Sequence, residues 1–270
     1  MMMEKTFTLD SFFSNVKLPT LSEVAKALIE TLDDELASPL KVRNILAQDP
    51  ALCARLLRLA NSAQFGLPRG VGTLDEAIAM VGMSPLRTMA LGALMNDAFP
   101  VVPGLDVTEF WRNSLRCAGY AQWLAGSLQM DGQSAWLAGM MLRLGELLMA
   151  QVAPETWLET RQLPPRSKTR WEAQKRLMGF TEGDIMAELA RRWNFPMQIM
   201  QALQRAAHPL TEQAYSRLGA VLHLASSLAD TPEGGPQALD ALPCEVLEHL
   251  SLDRAMLRQR FPKQDNVIAF

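Results

Sequence analysis

Apolar residues recur every three or four positions along almost the whole chain, and runs that alternate β-branched and aromatic residues with polar ones are absent. A spacing of 3.6 residues buries one stripe of a helix, whereas a half-buried strand needs a period of two. The chain is therefore predicted to be all-α and multi-helical. The start signals agree with this. Ser38-Pro39, Asp49-Pro50 and Ser84-Pro85 each place a capping oxygen ahead of a proline suited to the first helical turn. Thr20 with Glu23, and Thr73 with Glu76, have the spacing of capping boxes.

Five short helices are expected in the first third, near 20–35, 39–48, 50–61, 73–82 and 85–97. Leu52, Leu56 and Leu59 share one face of the third, with Arg55 and Arg58 on its polar side. A loop rich in glycine and proline follows Asn61-Ser62, and Pro100, Pro103 and Gly104 make a second break. That break divides an N-terminal helical subdomain, 15–100, from a second one, 105–230. In the second, helices are expected near 107–129 and 132–152, which form a core pair, and near 170–178, 182–194, 196–207 and 211–229. A polar segment from Arg161 to Thr169 with Pro164-Pro165 reads as an exposed loop. After Thr231 to Pro236, a short helical extension and tail complete 231–270.

Composition narrows the function classes. With 49% apolar and 20% charged residues over 270 positions, the chain has enough apolar material for a core and lacks the signature of disorder. A net charge of −3 argues against nucleic acid as the main partner. Cys53, Cys117 and Cys244 are dispersed and odd in number, which gives no disulfide framework and no metal knuckle, so a reducing cytoplasm is the natural setting. The first residues lack a signal peptide's apolar run. The most membrane-like stretch, Trp136 to Ala153, is interrupted by Arg143 and Glu146 and reads as a buried helix, so no membrane association is expected.

Single residues add little chemistry by themselves. His208, ahead of Pro209 at a helix end, reads as a capping group. His223 and His249 have no second ligand type at i+4, and Cys117 lies mid-helix without an identifiable base. Met140, Met141 and Met149 fall among leucines and read as packing. Asn61 and Ser62 either tie off helix carbonyls or present a binding surface. Arg161, Arg166, Lys168, Arg170, Lys175 and Arg176 gather positive charge around the Pro-Pro loop. They read as a solvated face, with a phosphate or nucleic-acid site as the alternative. The helix near 85–97 follows another after a short turn, but its Leu86, Met89, Ala90, Leu91 and Leu94 are too apolar to face a DNA groove.

Several blocks in one order resemble the HDOD family. They are Leu18-Pro19, Gln48-Asp49-Pro50-Ala51-Leu52, Leu59-Ala60-Asn61-Ser62, Ala77-Ile78, Val81-Gly82 and Leu86-Arg87. Looser matches follow at Phe110 to Ser114, Leu137-Ala138-Gly139 with Gly145, and Arg192 to Pro196. The likeness spans roughly 15–230 and implies a bundle like that of the HD-domain phosphodiesterases, relatives whose site gathers His and Asp ligands around divalent metal. By that resemblance, the positions of the enzymes' ligands fall here on Asn113, Leu142, Arg143, Glu182, His208 and Ser226. Leucine offers no ligand and an arginine repels a dication, so a degenerate metal site without catalysis and without a cofactor is expected. Glu182, Asp184 and His208 are the remaining positions at which an ion could be held.

The resemblance implies a non-catalytic module of bacterial signal transduction that binds a protein partner or a small ligand. Asn61, Ser62, Arg166, Lys168 and Arg170 are the candidate surface for that binding. The alternatives are a metal-dependent phosphohydrolase acting on a nucleotide or phosphodiester, and a nucleotide or nucleic-acid binder using the cations of 161–176.

Overall fold

A computed structural model describes residues 8–14, 16, 24, 27, 31, 38–48, 53, 57, 71–82, 104–163, 167–211, 215–231 and 235–262. Among them every regular element is a helix, as the 3.6-residue spacing predicts. The chain divides into two compact units: Met1–Leu18 with Pro100–Arg192 and Met197–Ala269, and Pro19–Phe99 with Trp193–Pro196 and Phe270. The larger unit contains α1 (Leu9–Ser14), and the smaller contains α2 (Pro39–Leu46) and α3 (Leu74–Val81).

In the smaller unit the two start signals act as their residue types require. Ser38 Oγ accepts from Lys41 N at 3.2 Å, one turn into α2. Thr73 and Glu76 close a reciprocal box, with Glu76 N donating to Thr73 Oγ1 at 3.2 Å and Thr73 N donating to Glu76 Oε2 at 3.3 Å. Val42, Ile45 and Leu46 of α2 are buried, as are Ala77 and Ile78 of α3, and Arg43 pairs with Asp75 at 2.9 Å. Of the helices expected near 20–35 and 50–61, only Val24, Ala27, Thr31, Cys53 and Leu57 are described; Thr31 lies in a turn and the other four are helical. The helix expected near 85–97 lies outside the described residues, and so do Asn61 and Ser62.

The larger unit continues with α4 (Val107–Ser127), α5 (Gly132–Val152), α6 (Pro154–Arg161), α7 (Ser167–Met178), α8 (Glu182–Arg192), α9 (Met197–Arg205) and α10 (Arg217–Ala229). A 3-10 turn (Pro236–Ala241) and two short helices, α11 (Cys244–His249) and α12 (Arg254–Gln259), follow. Asp131 starts α5 by accepting from Gln133 N and Ser134 N. Every residue from Ala135 to Ala150 is buried. A helix without a solvent face must be surrounded, and α4, α8, α9 and α10 all pack against α5. Among the described residues no helix is long and apolar enough to cross a membrane.

The structure departs from the sequence expectation at two places near the site. Pro154–Arg161 is a helix that was not expected, carried by Pro at its first position and by buried Trp157 and Thr160. The loop expected through Thr169 gives way to helix α7 at Ser167. Gly145 fixes a third feature: a Cβ there would lie 2.4 Å from the Glu182 carbonyl oxygen, so only glycine lets the start of α8 approach α5 this closely.

Candidate functional site

That close approach brings the α8 N-terminus onto the one polar step of α5. Arg143 and Glu146 lie one turn apart on α5, Arg170 comes from α7, Glu182 from the first position of α8, and Asp230 from the cap that ends α10. Their side chains are 9% exposed or less. Charges this deep persist only when paired and hydrogen-bonded.

The pairing is extensive. Arg143 Nη1 donates to Asp230 Oδ1 at 2.8 Å, and Arg143 Nη2 lies 2.9 Å from Glu146 Oε1. Arg170 spans the cluster: Nη1 donates to Asp230 Oδ2 at 2.7 Å, Nη2 to Glu182 Oε1 at 3.0 Å, and Nε to Glu182 Oε2 at 3.2 Å. Glu182, fully buried, also accepts from Trp171 Nε1 at 2.9 Å and Gln174 Nε2 at 3.1 Å. Its backbone N–H donates to Gln174 Oε1 at 2.9 Å. Ser167 Oγ donates to Asp230 Oδ2 at 2.6 Å and lies 2.7 Å from Ser226 Oγ. Asp230 sits at a helix C-terminus, where the dipole disfavours a carboxylate. The two guanidiniums supply the compensation.

Protonation follows this geometry. Burial pushes the Asp230 carboxyl up, but Arg143 and Arg170 together bring it below its ordinary value. Glu182 behaves in the same way, with Arg170 the leading opposing charge. At Glu146 burial wins, and its pKa is raised despite Arg143. Glu146 Oε1 stands within ion-pair distance of both arginines yet has no well-aligned hydrogen bond. The cluster thus sets two carboxyls with lowered pKa values, Glu182 and Asp230, and one with a raised pKa, Glu146, beside two guanidinium groups. Nearby Cys117 is buried, and its thiol is pushed up to about 12, chiefly by burial.

Among the described residues no group of three or more His, Cys, Asp or Glu is placed to hold a metal ion. An ion needs several convergent lone pairs and room between them. Leu142 is fully buried and brings no donor atom, and the oxygens of Asp230 and Glu182 already accept from guanidinium groups. The two arginines bridge the three carboxylates. In chemical terms the cluster is an ionic lock joining α5, α7, α8 and the end of α10.

A cavity of about 540 Å³ opens over this lock, with Arg143, Glu146, Arg170 and Asp230 in its lining and Asn113 and Arg116 of α4 on its wall. A second cavity, about 370 Å³, is lined by Lys168, Trp171, His208 and His223 among others. The positions singled out in the sequence are therefore distributed unevenly. Arg143, Glu182 and Ser226 converge in the lock, Leu142 packs beside it, and Asn113 faces the cavity above. His208 does not join them: it is exposed and borders the other cavity. Asp184 is engaged locally, accepting from Thr181 N at 2.8 Å.

Arg170 corrects the surface expectation most sharply. Grouped with Arg166 and Lys168 as a candidate binding face, it is 7% exposed and ion-paired, because its partners Glu182 and Asp230 lie far along the chain. Lys168 is exposed, and Arg166 lies outside the described residues. Sequence reasoning missed Asp230 and Glu146 as members of the cluster. The signal for Asp230 was its place four residues after Ser226, one turn along the same helix face.

The HDOD domain description matches residues 18–209. A protein of Treponema pallidum without an assigned role is 26% identical over 194 residues, 70% of this chain, and the chain spans only 36% of that relative's length. A crystal structure from Shewanella amazonensis, provisionally named a phosphohydrolase, is 28% identical with a TM-score of 0.77, over 96% of this chain and 94% of its own. One from Marinobacter aquaeolei, provisionally named a signal transduction protein, shares the fold at 21% identity and a TM-score of 0.78, over 96% of this chain and 59% of its own.

Proposed function

This chain belongs to the HDOD domain family, and from that premise we propose that it is a non-catalytic regulatory module of bacterial signal transduction in the cytoplasm. It binds a protein partner or a small ligand on a scaffold shared with HD-type phosphohydrolases. One observation carries this reading: Arg143 and Arg170 occupy the space among Glu146, Glu182 and Asp230 that metal chemistry would need. Metal-assisted hydrolysis requires an ion with an open position to activate water, and two permanently charged guanidiniums oppose its entry. The lock instead gives the site a rigid floor, which suits recognition.

A second reading, metal-dependent phosphohydrolysis, draws its support from the likeness to the Shewanella structure with that provisional name. Metal analysis of the purified protein, combined with hydrolysis of bis(p-nitrophenyl) phosphate in added Mn²⁺, separates the two. The regulatory reading expects substoichiometric metal and turnover at background. Stoichiometric Mn, Fe or Zn with hydrolysis that needs the metal would overturn it.

A further inference from the structure

The 540 Å³ cavity is large enough for a mononucleotide-sized molecule, within the roughly 300–1,000 Å³ usual for ligand sites. Its lining carries five arginines, 112, 116, 143, 161 and 170, against four carboxylates, Asp106, Glu109, Glu146 and Asp230. The carboxylates are already engaged. Asp106 caps α4 through Glu109 N at 3.0 Å, Glu109 lies 3.5 Å from Arg112, and Glu146 and Asp230 belong to the lock. Arg116 and Arg161 have no carboxylate partner among the described residues. Arg161 instead lies over the Trp157 ring at 5.1 Å.

Arg116 and Asn113 are the focal pair. Three residues apart on α4, they share a face, and both are half-buried with no hydrogen-bond partner among the described residues. A guanidinium fork beside a carboxamide matches the paired oxygens of a phosphate or carboxylate. Buried Phe110 and the side chain of Leu163 add apolar surface to the same cavity. A solvated surface arginine would need none of this enclosure.

We propose that this cavity binds a small organic oxyanion, bearing phosphate or carboxylate and no larger than a mononucleotide, through Arg116 and Asn113 above the arginine-carboxylate lock. The inference rests on the regulatory reading and deepens it by naming the ligand class. Binding needs no bond to be made or broken.

The test is isothermal titration of the full chain with inorganic phosphate, pyrophosphate, AMP and citrate, with release of phosphate followed in parallel. At least one probe is expected to bind 1:1 with millimolar affinity or better. Arg116→Ala should weaken that probe at least tenfold and Asn113→Ala about threefold. Arg116→Lys, which keeps the charge and loses the fork, should fall between wild type and alanine. Arg191→Ala, an exposed arginine on α8, should bind as wild type does. AMP in preference to citrate assigns a phosphate ligand, and the reverse a carboxylate; both support the inference. Absence of binding by all four probes overturns it, and so does a folded Arg116→Ala that binds unchanged. In those two cases the regulatory reading stands. Metal-dependent breakdown of a bound probe would instead refute that reading while leaving the anion site in place.

Discussion

Replacing Arg170 with methionine keeps most of the side-chain volume and removes the one group that touches three carboxylates. Glu182 would keep Trp171 and Gln174 as donors but lose a guanidinium contacting it at 3.0 and 3.2 Å, while remaining fully buried. Asp230 would keep Arg143 and Ser167 and lose a 2.7 Å contact. Breaking a buried ion pair from one side costs about 3–5 kcal/mol, because the remaining charge is stranded. With a urea m-value of about 3 kcal/mol/M, the unfolding midpoint of the larger unit should fall by about 1–2 M. Fluorescence is the natural assay, since Trp171 donates directly to Glu182. The paired change Glu182→Met should then be far less damaging in the Arg170→Met background than alone, with a coupling of about 2 kcal/mol or more. A single Arg170→Met costing under about 1 kcal/mol, or strict additivity in the cycle, would refute the claim that the lock holds these helices by mutual compensation.

Four further outcomes are expected. Gly145→Ala puts a Cβ 2.4 Å from the Glu182 carbonyl, so it should destabilise by about 1–3 kcal/mol, and thermal unfolding reads the loss. Asp230 and Glu182 have lowered pKa values in the fold, so their stabilisation is present above their ordinary values of 3.8 and 4.5 and is lost as pH falls through the folded values. Glu146 has the opposite sign: its contribution is full below 4.5 and is lost as pH rises through its raised folded value, so Glu146→Gln should remove that decline from a stability-pH curve. Cys117, with its thiol pushed up to about 12, should resist iodoacetamide at pH 8 in the folded protein while exposed Cys244 reacts; mass spectrometry of labelled peptides tells them apart.

Much of the architecture was legible because local signals and apolar period agree at the same residues. Asp131-Gly132 marks the start of α5, and Arg143 and Glu146 within that apolar run pointed to a buried helix instead of a membrane span. Helix α6 escaped notice because its polar octet buries only Trp157 and Thr160, and Ala153 provides no side-chain cap. Arg170 was misplaced for a different reason. A basic residue in a polar stretch looks the same whether it meets water or carboxylates 12 and 60 positions away, and only the tertiary fold decides which. Asp230 was overlooked because the resemblance pointed to Ser226, one turn earlier on the same helix.

Two guanidinium groups bridge three buried carboxylates, and a dication is predicted to find no place among them. Crystals of the protein grown with excess Mn²⁺, with anomalous diffraction measured at the manganese edge, examine this most directly. Arg143 and Arg170 should bridge Glu146, Glu182 and Asp230 with no anomalous peak between them. A manganese ion coordinated by those carboxylates, with both arginines swung away, would contradict it.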